Sequence, residues 1–151
     1  MIKKTPNTKE TVVAAFYKFV DWDDFKSLKS PLAKVCSKAG TVGTILLAPE
    51  GINGTIAGTV QDVQTVLEFL WNDQRLFGLT PKYSTATGKT FKRMKIKIKK
   101  EIVSMGKVEA KPARVTGTFV TPDAWNKVIA DPDTVVIDAR NYYENAVGTF
   151  T

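Results

Sequence analysis

Two short apolar runs, residues 44–48 and 53–57, stand on either side of PEGI, a turn with proline and glycine where a tight connection wants them. A helical pattern flanks this hairpin on each side, and a strand-like run lies beyond each helix. Upstream, TVVAAFYKFV (11–20) is rich in β-branched and aromatic residues and reads as a strand. DWDDFKSLKSPLAKVCSKAG follows, with Phe25, Leu28, Leu32, Val35 and Ala39 stepping by three or four along one helical face. Asp23 suits an N-cap and Gly40 a stop, while Pro31 splits the segment into a short turn and a helix capped by Ser30. Downstream, Thr59 and Asp62 form a capping-box start, and Val63, Val66, Leu67 and Leu70 repeat at helical spacing. Residues 81–86 give a weak strand and 91–103 a strongly alternating one. The order β-α-β-β-α-β, with one extra strand, predicts an α+β, ferredoxin-like split β-α-β sandwich. Two helices then cover one face of an antiparallel sheet and leave the other for a partner.

The pattern changes after residue 105. GKVEAKPARVTGT (106–118) has no periodicity and reads as a linker between a first domain, 1–105, and a second unit, 119–151. In the second unit Thr121-Pro122-Asp123 opens a short helix carrying Trp125, Val128 and Ile129, and Asp131-Pro132-Asp133 makes a turn. A buried strand is expected at Val135, with a loop and helix after it; Asp138 and Arg140 suit an internal ion pair. A buried strand needs neighbours on both sides. Residues 119–151 therefore read as the opening of a second core, and the parent gene is expected to run past Thr151.

Charge divides in the same place. Residues 1–100 carry a balance of +9 and residues 101–151 a balance of −2, which together make the net +7. A basic body favours a polyanionic partner. The chain has no histidine, which excludes Ser-His-Asp, Cys-His or zinc-hydrolase chemistry confined to it. One cysteine, Cys36, excludes an internal disulfide and a multi-cysteine metal site; it reads as a buried, inert thiol one position off the apolar helix face. No run approaches the roughly 20 apolar residues of a membrane span, and the N-terminus lacks a signal peptide's apolar stretch. The expected location is the cytoplasm, with no membrane partner.

FKRMKIKIKKE (91–101) is the most informative stretch for binding. In a strand Met94, Ile96 and Ile98 point one way, and Arg93, Lys95, Lys97 and Lys99 the other, with Lys92 beside them. One reading is a solvated edge strand whose lysines discourage aggregation. The other is a phosphate-tracking stripe that sets affinity for a nucleic-acid backbone. Phe91 and Tyr83 suit either base stacking or the core. In PEGINGT (49–55), Glu50 and Asn53 mark a candidate loop site, with a purely structural turn as the alternative. No phosphate-binding glycine motif and no paired carboxylates at a recognisable spacing are present.

The stretch VVIDARNYYENAVGTF, with Asp138, Arg140, Glu144 and Gly148 at fixed distances after an apolar strand, resembles the first half of a rhodanese domain. Thr149-Phe150 stands where rhodaneses commonly have His-Ile. With GTILLAPEGINGTIAG, FKRMKIKIKKEIVSMG and TPDAWNKVIADPDTVVIDARN, nearly the whole chain resembles the bacterial rhodanese-domain tRNA uridine hydroxylases. The resemblance implies an acylphosphatase-like (ferredoxin-like) N-terminal domain followed by the truncated start of an α/β rhodanese domain. It implies tRNA as partner, the rest of the rhodanese domain as the continuation, and wobble-uridine hydroxylation to 5-hydroxyuridine with molecular oxygen as co-substrate. It also implies a catalytic cysteine beyond Thr151, so no residue here is catalytic, no cofactor is held, and the chain alone is expected to be inactive. Two alternatives stay open: an accessory domain of a rhodanese-type sulfurtransferase, and a non-enzymatic interaction module. Acylphosphatase chemistry lacks its arginine-containing, glycine-rich phosphate loop here.

Overall fold

The computed structural model describes residues 11–149 except Lys89, Met105, Val108 and 110–112. It divides into two compact units, Met1–Val115 and Thr116–Thr151.

The first unit is an acylphosphatase-like ferredoxin fold, with α helices packed on a five-stranded sheet. Its strands are β1 (Thr11–Phe19), β2 (Val42–Ala48), β3 (Gly51–Gly58), β4 (Lys82–Ala86) and β5 (Met94–Ile98), in spatial order β4-β1-β3-β2-β5. The pairs β1–β3, β1–β4 and β2–β3 are antiparallel, but β5 joins β2 in parallel, so the sheet is mixed rather than wholly antiparallel. That fifth strand is also shorter than the span of 91–103 expected from the sequence. Its register matches Met94–Ile98 to Gly43–Leu47, and one further bond, Lys99 N–H to the Leu47 carbonyl (2.9 Å), closes the ladder. Beyond Leu47, β2 turns into β3 and offers no more partners. The ladder and the alternation, which is strict only from Arg93 to Lys99, end together.

Two helices, α1 (Lys29–Ala39) and α2 (Val60–Trp71), cover one face. Leu32 and Cys36 of α1 and Val63, Val66, Leu67 and Leu70 of α2 are buried against Ala14, Phe16, Ile45, Leu47, Ile52 and Ile56. The capping box predicted for α2 is present: Thr59 Oγ1 accepts from Asp62 N–H (3.2 Å), and the Asp62 carboxylate accepts from Thr59 N–H (3.1 Å). Gly40 ends α1 in the left-handed region at φ 71°. The expected split holds: a 3-10 turn, Phe25–Leu28, precedes α1, and Pro31 sits in the first turn of the helix, where amides lack an intrahelical acceptor anyway. Ser30 is not the cap, because the turn feeds directly into the helix and Leu28 takes that position without a side-chain bond. The predicted face holds, since Phe25 and Leu32 are buried and Leu28, Val35 and Ala39 pack against the core, but Cys36 belongs to it rather than lying one position off.

Arg75 organises the loop after α2. Its guanidinium lies 5.0 Å from the Trp22 ring centroid, binds Asp73 at 2.8 Å and also reaches Asp24. Its hydrogen bonds are the main cause holding both carboxyls below their usual range. A lowered folded-state pKa adds stability that is fully present above the unfolded carboxylate range and is lost as pH falls through the folded value. Arg75→Met should therefore flatten the acid limb of the stability curve. Urea midpoints of the variant and wild type, compared from neutral pH downward, should converge as acid protonates these two groups.

The second unit contains α3 (Pro122–Ile129), with Thr121 as N-cap and proline in the first turn, and α4 (Tyr142–Val147), with an Asn141–Glu144 capping box. Asp138 and Arg140 form the expected ion pair at 2.5 Å. Thr149 Oγ1 donates to Asp138 (3.1 Å), and Arg140 donates to the Gly148 carbonyl (2.8 Å). The strand expected at Val135 does not form. Val135 and Ile137 are 82% and 83% exposed, and residues 134–139 pair with no strand among those described. Extended backbone gains its ladder hydrogen bonds from a neighbouring strand, and the described residues of this unit supply none. Among the described residues no helix is long and apolar enough to cross a membrane.

Candidate nucleic-acid interface

Three physical facts build one basic surface. Met94, Ile96 and Ile98 pack against the helix-side core, so alternation turns Lys95 and Lys97 to the opposite, helix-free face. Cross-strand partners share a face, so the register carries that face across the sheet. Lys95 lies opposite Thr44, Thr44 opposite Thr55, Thr55 opposite Ala15, and Ala15 opposite Lys82. The next row is Lys97, Leu46, Asn53 and Tyr17. Finally, none of the five strands contains an aspartate or glutamate. Their lysines on this face meet no strand-borne carboxylate.

The structure brings most of the sequence-predicted residues together. Lys92, Arg93 and Lys95 line an open depression of about 470 Å³ with Thr44, Thr90 and Phe91. Lys97 continues the row along β5, and Lys99 follows at its end. Gly43 N–H donates to the Arg93 carbonyl (3.3 Å), so both ends of the basic segment are tied to β2. Phe91 is half-buried at this depression rather than in the core. Tyr83 is neither core nor part of the stripe. It pairs with Ala14, whose side chain is buried under the helices, so its 56%-exposed ring stands on the helix side near Val60 and Val63.

Two residues on the basic face escape the sequence reading. Tyr17 is 51% exposed there, with Phe19 edge-on to it at 6.0 Å between ring centroids. Lys82 stands at the far edge. TVVAAFYKF is nearly all apolar and hides its own alternation. Only the buried Ala14 and Phe16 against the exposed Ala15 and Tyr17 reveal which face is which. Counting every second residue from Phe16 was the available signal.

Glu50 and Asn53 act on the chain that leaves β5. Glu50 Oε1 accepts from the N–H of Ile102 (2.6 Å) and of Val103 (3.4 Å), and Asn53 Nδ2 donates to the Ile102 carbonyl (3.3 Å). The Glu50 and Pro49 carbonyls accept from Val20 and Trp22 N–H at 2.9 and 2.8 Å. The PEGINGT turn thereby stitches the exits of β1 and β5 to one corner of the sheet. Cys36 is wholly buried, and burial pushes its thiol pKa up, the opposite of a reactive thiolate. The turn from β1 to α1 carries Asp21, Asp23 and Asp24, which would repel a phosphate. Among the described residues no group of three or more His, Cys, Asp or Glu side chains could hold a metal.

The dark-state structure of the BLUF protein BlrB superposes on 60% of this chain and 74% of its own, with a TM-score of 0.50 and 16% identity, a likeness of fold alone. A tRNA uridine(34) hydroxylase of Acaryochloris marina is 50% identical over 93% of this chain. One of Rhizobium leguminosarum is 48% identical over 99% of it. The chain spans about half the length of these curated relatives, 46% and 48% respectively. Residues 11–102, which hold the whole sheet and both of its helices, match the UPF0176 acylphosphatase like domain, and the chain belongs to that family.

Proposed function

We propose that this chain is the N-terminal part of an enzyme that hydroxylates the wobble uridine of tRNA with molecular oxygen, and that its first unit engages the tRNA. The observation that carries this reading is 50% identity to a tRNA uridine(34) hydroxylase over 93% of the chain. The lysine face, whose strands carry no aspartate or glutamate, supports the second half of it, because Lys95, Lys97, Arg93, Lys92 and Lys99 suit contacts to phosphates and not to base edges. Such contacts supply affinity and register, and the chemistry belongs elsewhere in the parent protein, in the rhodanese domain that residues 119–151 would begin. The setting is the bacterial cytoplasm, where tRNA is found.

A tRNA titration at several salt concentrations tests the binding part. Counterion release makes log K fall linearly with log salt, with a slope of about −0.9 per phosphate neutralised. An affinity that ignores salt would overturn the reading. The chain alone should read background in assays for 5-hydroxyuridine formation and for thiosulfate:cyanide sulfur transfer. It has no histidine, and its one thiol is buried and shifted toward the protonated form. Turnover that vanishes on Cys36→Ser would place a catalytic centre in this unit after all.

A further inference from the structure

The sheet's helix-free face holds more than its lysines. Its upper row runs Lys82, Ala15, Thr55, Thr44, Lys95, so a floor of small side chains lies between a cation at each edge. At a strand spacing near 4.8 Å the two edges stand about 19 Å apart. In the row below, Tyr17 is half-exposed on β1 and Lys97 stands three strands away on β5, with Leu46 and Asn53 between them; Asn53 is engaged by the Ile102 carbonyl, so the path that lies open from edge to edge is the upper row. Tyr17 and Phe19 also wall a cavity of about 380 Å³ with Lys82, Gly78, Leu79 and Thr80. That volume falls in the range of small-ligand clefts, about 300–1,000 Å³. The far edge thus offers an aromatic platform beside a cation, and the near edge offers cations alone.

A duplex has no use for that platform. Its bases are stacked inside, and its deep major groove does not admit a flat sheet. A single-stranded segment presents unstacked bases that lie on aromatic rings, while its backbone follows cations. We propose that this face binds a single-stranded RNA segment laid across the strands, its phosphates on Lys95 and Lys97 and a base stacked on Tyr17 beside Phe19 and Lys82. The proposal rests on the tRNA reading above and narrows it to an unpaired region of the RNA.

The test uses the 151-residue chain with a fluorescein-labelled oligouridylate of about ten nucleotides, a length typical of single-strand sites, and an RNA duplex of equal length. Anisotropy at low salt gives both affinities. The single strand should bind more tightly than the duplex. Tyr17→Ala should weaken the single strand roughly tenfold and leave the duplex unchanged, and Tyr17→Phe should keep wild-type affinity. Tyr17→Leu, which keeps an apolar group against Phe19 but has no ring, should behave like the alanine variant and serves if that one fails to fold. Lys95→Glu/Lys97→Glu should weaken both ligands. If loss of the ring changes nothing while the lysine variant still weakens binding, the stacking proposal falls and the phosphate-contact reading stands. If neither variant changes affinity, both fall. Equal affinity for single strand and duplex also overturns the proposal.

Discussion

Gly51→Ala is expected to destabilise the first unit by about 4–5 kcal/mol and to move its urea midpoint far below wild type, while Gly40→Ala costs only about 1–2 kcal/mol. Both glycines have positive φ, 140° and 71°, so dihedral preference alone does not separate them. Space does. A Cβ on Gly40 meets nothing within 4 Å, so alanine there bears only the left-handed penalty of about 1–2 kcal/mol. A Cβ on Gly51 would lie 2.0 Å from the Lys18 carbonyl oxygen and 3.1 Å from Phe19 Cα. Both neighbours are backbone of the interior strand β1, which pairs with Gly51 of the central strand β3 through Phe19. Backbone cannot swing aside as a side chain can.

Relieving that contact means parting β1 from β3 at this corner. The separation threatens the Val20–Glu50 and Trp22–Pro49 bonds and the Glu50 bond to Ile102. Each lost bond of this kind costs about 1 kcal/mol, and more where the acceptor is charged. With the clash, the sum reaches the 4–5 kcal/mol that is exceptional for one substitution, and domains of this size hold only about 5–15 kcal/mol in total. Urea unfolding of the two variants beside wild type decides it. A Gly51→Ala midpoint close to that of Gly40→Ala would show that the corner yields, and would remove the PEGINGT turn as a structural keystone.

The hairpin and the α2 capping box were legible because local chemistry sets them. PEGI can hardly be anything but a turn, and Thr59 with Asp62 satisfies helix-start amides without help from distant residues. The length of β5 was legible only in part. Strict alternation runs from Arg93 to Lys99 and breaks at Lys92-Arg93 and at Lys99-Lys100-Glu101, close to the ends of Met94–Ile98, so reading a strand over 91–103 overran the pattern. The parallel pairing of β5 was hidden, since alternation says nothing about direction. Val135 to Ile137 show the reverse error: an apolar run reads as a buried strand whether or not a partner exists. At the candidate site, the lysines announced themselves by period two, but Tyr17 did not, because an apolar strand carries no polar mark on its outer face. Glu50 and Asn53 were singled out as a candidate loop site, and in the structure both make bonds that favour the structural alternative. Their work, holding Ile102, joins positions some 50 residues apart and could not be read locally.

Lys95→Glu/Lys97→Glu should cost more tRNA affinity than any other pair of surface substitutions and should leave the fold intact. Stability is spared because both side chains are exposed on an edge strand, while the inward Met94, Ile96 and Ile98 are untouched. Exposed changes of this kind fall within about 0.5 kcal/mol, and relief of like-charge repulsion along β5 works in the variant's favour. Binding is not spared. Losing two phosphate contacts should flatten the plot of log K against log salt by about 2 units, and each new carboxylate adds repulsion where attraction stood. At low salt, where screening is weakest, the affinity should fall by well over tenfold. Net charge alone predicts a smaller loss, so the control is Lys34→Glu/Lys38→Glu, the same change in charge on exposed positions of α1 in the helix layer. If the stripe is the contact surface, the α1 pair lowers affinity modestly and keeps the wild-type slope, whereas the β5 pair changes both. Equal losses and equal slopes would mean that tRNA senses only the overall basic charge, and the lysines of β5 would return to the role of an edge strand that keeps its neighbours away.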